Sequence, residues 1–166
     1  MKADIIIIGG GVVGSCISRE LSQYDVDIVL LEKSADVPSG ASKANTAILH
    51  AGFDPKPGTL KALLNVQGNA LYDELAKDLD VPVKRIGSLV VAFDDAEIEA
   101  LEELANRGKA NGVKGLRILD GNILAVLEPN LNQHAVAALY APLAGIVNPF
   151  EMVLACTENA IANGVR

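Results

Sequence analysis

Glycines 9, 11 and 14 stand between a short apolar run and an amphipathic segment, and this junction constrains the chain more than any other feature. Residues 3–8 centre on Ile5–Ile8, a β-branched run that suits a strand buried on both faces. Beyond the glycines, Val13, Ile17 and Leu21 recur at helical spacing and predict a helix to about Gln23 with an apolar stripe. Residues 26–31 read as a second strand, again apolar on both faces, ending at Glu32. Strand, glycine turn, helix and strand within about 30 residues make a βαβ unit, whose crossover is right-handed.

The spacing Gly9-x-Gly11-x-x-Gly14 is a weak signal alone. Here it is strong, because it follows a strand, opens a helix and has an acidic residue closing the next strand. Each part has a mechanical reason. Gly9 permits a tight turn, Gly11 lets a pyrophosphate approach the backbone, and Gly14 lets the helix pack closely on the sheet. The helix mouth then offers unpaired N–H groups and partial positive charge to phosphates. Glu32 can accept both hydroxyls of an adenosine ribose, and its charge disfavours a ribose 2′-phosphate. That argues against NADP and leaves NAD and FAD, which share the ADP moiety.

Residues 33–58 carry Pro, Gly, Ser, Asn and Lys without a sustained period, and a loop of that length in a compact domain is usually functional. A helix is predicted from Thr59 to about Leu79, with Leu60, Leu64, Leu71, Leu75 and Leu79 at helical spacing and Pro82 beyond its end. Residues 86–93 read as a strand. Asp94 with Glu97 forms a capping-box signature for a helix carrying Ile98, Leu101, Leu104 and Ala105, which Gly112 stops. A strand at 116–119, a short helix to Glu128 and a strand around 137–140 follow. Asn148, Pro149 and Glu151 open a last helix that ends at Asn163 and Gly164. Strand and helix stop alternating after residue 80. This divides the chain into a nucleotide-binding module, 1–80 plus 146–166, and an inserted module, 81–145. The expected fold class is α/β, a Rossmann-like βαβ domain with an inserted α+β portion.

Half of the 166 residues are apolar, enough for a core, and the formal charge is −7. That balance argues against a nucleic-acid binder, which would show a clustered basic face. It leaves an anionic substrate open, because a substrate senses a local pocket. Cys16 and Cys156 are far apart in sequence and form no Cys-x-x-Cys pair. They read as buried packing thiols in a reducing, cytoplasmic setting, Cys156 on a stripe with Val153 and Ala160; neither a disulfide framework nor a metal site follows from them. Asp4 precedes the first apolar run, which reaches glycine at once, so no signal peptide is read there. No segment approaches the roughly 18 apolar residues that span a bilayer, while peripheral membrane association stays open. The electron acceptor and the oligomeric state carry no signal in the sequence.

The stretch Ser39-Gly-Ala-Ser-Lys-Ala-Asn-Thr-Ala-Ile-Leu-His-Ala-Gly52, with Lys56-Pro-Gly-Thr-Leu-Lys61 and Val66-Gln-Gly68, resembles one branch of the D-amino-acid-oxidase-like FAD-dependent oxidoreductases. It is the branch of glycerol-3-phosphate dehydrogenase and L-2-hydroxyglutarate oxidase. Gly87-Ser-Leu-Val-Val-Ala92, Gly112-Val-Lys-Gly-Leu-Arg117 and Gly145-Ile-Val-Asn-Pro149 resemble it too, so the likeness covers essentially the whole chain. The resemblance implies FAD as cofactor, with Gly9, Gly11, Val13 and Gly14 along its pyrophosphate and Glu32 with Lys33 at the adenosine. It implies further that Ser42, Asn45 and Thr46 sit where the loop crosses the diphosphate and ribityl chain. His50, with Ala51 and Gly52, would lie near the flavin ring.

Carbinol oxidation needs a base for the hydroxyl proton while hydride leaves to the flavin, and histidine suits that role near neutral pH. His50 is therefore the candidate catalytic residue, although a histidine in such a loop can instead orient the flavin or shape a pocket. Lys56, Lys61 and Arg85 are cations that a small anionic hydroxy substrate could meet. Members of the family continue past the helix at 148–164, so the resemblance implies truncation at the C-terminus. A further strand and the substrate-gripping cations are expected in the remaining part. Glycerol 3-phosphate is the expected substrate and L-2-hydroxyglutarate the alternative. An NAD-linked dehydrogenase and a non-catalytic nucleotide-binding module are the readings from other classes.

Overall fold

The computed structural model describes residues 2–166. In chain order its elements are β1 (Ile5–Ile8), α1 (Val12–Leu21), β2 (Ile28–Leu31), β3 (Ile48–Leu49), α2 (Leu60–Asp78), β4 (Val83–Lys84) and β5 (Ser88–Ala92). They continue with α3 (Asp95–Ala110), β6 (Arg117–Asp120), α4 (Gly121–Leu127), β7 (Ala137–Ala141), β8 (Gly145–Val147) and α5 (Pro149–Ala162). The chain divides into two units. One holds the residues up to Ile48 with Glu74–Val83 and Val147–Arg166; the other holds Leu49–Asp73 and Lys84–Ile146. The short strands β3, β4 and β8 each straddle a point where the chain passes from one unit to the other. Residues 49–73, grouped with the nucleotide-binding module by sequence reasoning, cluster with the second unit. Among the described residues, no helix is long and apolar enough to cross a membrane.

The first unit is a βαβ unit with a helix returned onto it. β1 and β2 pair in parallel, Ile5 against Ile28 through Ile8 against Leu31, with α1 as their connection. Chain residues at the far end extend this arrangement: Arg166 donates its amide to Ile28 O at 3.1 Å and accepts from Leu30 N at 2.8 Å. Asn148 caps α5 by accepting the Phe150 amide at 3.0 Å, and Pro149 occupies the first turn, where its missing N–H costs nothing. Ile7 and Ile28 bury themselves against Ala160 and Val165.

Two expectations for this unit fail for physical reasons. β1 is covered on one face only: Ile7 is buried, whereas Ile6 is 59% and Ile8 86% exposed; in β2 the successive residues Ile28 and Val29 are both buried. A β-branched run shows that a strand forms; it does not show how many layers cover it. The stripe of α1 is also misplaced. Val13 is 69% and Ile17 44% exposed, while Gly14, Ser15 and Ser18 form the buried face against α5. Small residues win that face because they let two helix backbones approach closely, and their hydroxyls find partners. Ser18 Oγ donates to Gly14 O at 2.8 Å, and Ser15 Oγ lies 3.0 Å from Thr157 Oγ1 of α5. At this interface Cys16 and Cys156, remote in sequence, come together with their sulfurs 3.7 Å apart. Val153, Cys156 and Ala160 are all buried, as the stripe on α5 requires.

The second unit is an antiparallel sheet with helices. Its strands run in the order β5-β7-β6, and β7 is fully central, pairing Ala137 with both Ala92 and Asp120. Alternation along the strands builds two cores. Ala92, Ala137 and Leu139 pack with Leu101 of α3, whereas Leu119 and Ala138 pack with Leu124 of α4. α3 starts as predicted: Asp94 accepts the Glu97 amide at 2.9 Å, and the Glu97 carboxylate accepts from Phe93 N at 2.6 Å. The leucine pattern of α2 identifies the helix but not its buried side. Leu60, Leu64 and Leu71 are exposed, and Ala62, Asn69 and Ala76 are buried.

The reassigned interface makes a prediction. Gly14→Ala should destabilise the protein by about 3 kcal/mol, because a β-carbon there would overlap the Gly9 carbonyl. Ile17→Ser should change stability by only about 0.5 kcal/mol, as exposed positions do. Urea unfolding of both variants checks the ranking, and the reverse order would restore the apolar-stripe reading.

Candidate functional site

The glycine turn is built by its own backbone and two side chains from elsewhere in the first unit. Gly9 adopts φ +103°, a conformation that disfavours any side chain, and its amide donates to Leu31 O at 2.7 Å. The chain thereby stays on the end of β2 until it turns into α1. Gly14 lies so close to the turn that an added β-carbon would sit 1.9 Å from Gly9 O. The helix start is pinned against the strand end for that reason. Gly10, an unassigned position of the fingerprint, is confined too, by a side chain and less tightly: a β-carbon there would meet Val37 Cγ1 at 2.5 Å.

Gly11 is the N-cap of α1 and brings no side-chain cap. Ser42 supplies one from the loop, its Oγ accepting the Val12 amide at 2.9 Å. Glu32 holds the neighbouring amide, its Oε2 accepting from Gly10 N at 2.7 Å. Its other oxygen accepts from Ser34 N at 2.8 Å. These bonds favour the charged form, first the Ser34 amide and then the Gly10 amide, and they lower the carboxyl pKa from 4.5 to about 2. The carboxylate is thus ionised throughout the physiological range, with lone pairs left over for hydroxyl donors. The amides of Gly11, Val13 and Gly14 find no acceptor among the described residues. Three N–H groups at the positive end of a helix are left for an anion.

The remaining predicted residues are placed as follows. Asn45 spends its side chain inside its own loop: Nδ2 donates to Ala41 O at 3.2 Å and Ser42 O at 3.1 Å, and Oδ1 accepts from Ala47 N at 2.8 Å. It shapes the segment that presents Ser42. Lys33, Thr46 and Val13 are exposed. Ser34 and Ser39 went unread; their hydroxyls are 3.1 Å apart. Ser34 was detectable, since a carboxylate commonly takes the amide two residues on.

His50 belongs to the second unit and is exposed, with its carbonyl accepting from Asn69 Nδ2 at 2.8 Å. It lines a cavity of about 90 Å³ with Gly52, Phe53, Asp54, Lys61 and Asn65. Asn65 Oδ1 is buried there without a protein partner. Arg85 is fully engaged elsewhere in that unit. It donates to Asp73 at 3.0 Å, to Asn69 Oδ1 at 3.1 Å and to Leu143 O at 2.6 Å. Of the three cations singled out from sequence, Lys61 is the one lining this cavity. No group of three or more His, Cys, Asp or Glu side chains able to hold a metal ion occurs among the described residues.

The chain is similar to several characterised proteins. It is 49% identical to glycerol 3-phosphate dehydrogenase of Caloramator mitchellensis over 98% of its length, covering 34% of that protein. It is 34% identical to the mitochondrial L-2-hydroxyglutarate dehydrogenase of Arabidopsis thaliana, over 96% of this chain and 32% of the other. A solved structure of L-alpha-glycerophosphate oxidase from Mycoplasma pneumoniae, dithionite-reduced with FAD bound, superposes with a TM-score of 0.93 at 33% identity. That superposition covers 100% of this chain and 44% of the oxidase. The chain therefore spans 32–44% of the length of these relatives. The FAD dependent oxidoreductase (DAO) family matches residues 4–166, and the chain belongs to that family, whose cofactor is FAD.

Proposed function

We propose that this protein is an FAD-dependent dehydrogenase or oxidase acting on the carbinol of a small anionic hydroxy compound, with glycerol 3-phosphate as the substrate. The observation that carries the cofactor half of this reading is the set of free amides at Gly11, Val13 and Gly14 beside a Glu32 that is charged at physiological pH. The residues fit the ADP portion of FAD: these amides would donate to diphosphate oxygens, and the Glu32 carboxylate would accept from the ribose hydroxyls. Ser42 keeps the Val12 amide in place, and Asn45 holds the loop that carries Ser42. Lys33 and Thr46 flank these positions. When bound, FAD would supply the acceptor for the hydride that leaves the carbinol carbon.

His50 takes the hydroxyl proton in this reading, from its exposed place on the rim of the cavity. Lys61, on the same cavity, offers a positive charge to a phosphate or carboxylate of the substrate. Glycerol 3-phosphate is preferred to L-2-hydroxyglutarate because identity to the glycerol 3-phosphate enzyme is 49%, against 34% to the hydroxyglutarate enzyme. A reducing, cytoplasmic setting belongs to the same reading.

Anaerobic addition of glycerol 3-phosphate to the FAD-loaded protein should bleach the oxidised flavin band, and L-2-hydroxyglutarate should leave it. His50→Asn should slow that bleaching by about 100-fold or more without loss of flavin. Bleaching by the hydroxyglutarate alone overturns the substrate, and full-rate bleaching in the variant removes His50 as base. A second prediction concerns Glu32. Because its folded pKa is depressed, its contribution to stability is complete above pH 4.5 and is lost as pH falls toward 2. Glu32→Gln should flatten thermal stability across that window and weaken ADP binding roughly tenfold by calorimetry. An unchanged acid profile and unchanged ADP affinity would contradict both roles.

A further inference from the structure

We propose that Cys16 and Cys156 are a peroxide-responsive thiol pair that closes into a disulfide joining α1 to α5 behind the glycine turn. The two sulfurs lie 3.7 Å apart, although 140 positions separate them in sequence. Disulfide formation needs an S–S separation of about 2.0 Å, which rotation of two side chains on facing helices can reach. The buried face of α1 around them carries only the small residues Gly14, Ser15 and Ser18, and that of α5 carries Met152, Val153, Thr157 and Ala160.

The two thiols are not equivalent. Cys16 is half-buried and reachable from solvent, while Cys156 is fully buried and also 4.0 Å from Met152 Sδ. The bond from Cys156 favours the thiolate on Cys16, burial opposes it, and the Arg19 guanidinium one turn along α1 favours it; the Cys16 pKa is lowered on balance. The same bond, with burial, raises that of Cys156. Cys16 is therefore the attacking sulfur and Cys156 the resolving one.

The chemistry balances with a hydroperoxide as oxidant. The Cys16 thiolate attacks one peroxide oxygen and the O–O bond breaks; with hydrogen peroxide this gives a sulfenic acid and water. Sulfur loses two electrons and the peroxide gains them. Cys156 sulfur then attacks Cys16 Sγ, the S–O bond breaks, and the hydroxyl leaves as a second water with the Cys156 proton. The sum is two thiols and one hydrogen peroxide going to one disulfide and two waters. A dithiol reverses it. The inference rests on the geometry of the first unit alone and stands or falls independently of the substrate.

The test uses the reduced full chain, treated with a slight excess of hydrogen peroxide and quenched. Intact mass should fall by two hydrogens, and non-reducing peptide mapping should link the Cys16 peptide to the Cys156 peptide within one chain. The thermal midpoint should rise by roughly 10 °C and return on adding dithiothreitol, since the bond closes a long loop. Cys16→Ser should abolish the link and the shift. Mass spectrometry of the wild-type chain decides the matter even if Cys156→Ala folds poorly. Oxygen adducts on Cys16 without a cross-link, cross-links between chains, or no reaction would each overturn the proposal.

Discussion

Glu32 ends the second strand and reaches across to the glycine turn, where Gly10 donates to it at 2.7 Å while Ser34 donates at 2.8 Å on the other side. The arrangement of the site follows from these two bonds. They fasten the turn to the strand end, so that α1 begins directly after its N-cap Gly11, and they keep the carboxylate charged. A charge fixed by backbone donors needs no further reorganisation when a ligand hydroxyl arrives. Ser42 completes the arrangement by taking the first helical amide, which leaves the amides on either side of it free.

The close approach of α1 to α5 complements this. A helix with its bulky residues turned inward would stand farther from its neighbour; Gly14, Ser15 and Ser18 bring it near. The same closeness places Cys16 against Cys156. One packing decision thus sets both the helix mouth and the chemistry available behind it. In the second unit, Asn69 and Arg85 play the comparable part, holding the carbonyls of His50 and Leu143 through side-chain hydrogen bonds.

Much of this was legible in the sequence, where local chemistry determines the outcome. The turn at Gly9, the close contact at Gly14, the carboxylate at Glu32 and the caps at Asp94 and Asn148 follow from short-range rules, and each is found. What sequence reasoning misplaced depends on partners far along the chain. Val13, Ile17 and the leucines of α2 are spaced as a buried stripe, yet the buried faces belong to smaller residues. Apolar spacing shows that a helix is amphipathic but not which residues a particular neighbour selects. Ser42 at the helix mouth became legible through family likeness, and Asn45 proved to serve the loop itself. The meeting of the two cysteines has no sequence signal at all, because it depends on how α5 returns to α1.

Amide chemical shifts followed by NMR during titration with ADP test the central claim most directly. The account predicts that amides of the helix mouth, Gly11, Val13 and Gly14, move most, by saturable shifts, because they are donors there without acceptors among the described residues. Saturable binding that shifts other amides and leaves these three in place would contradict it.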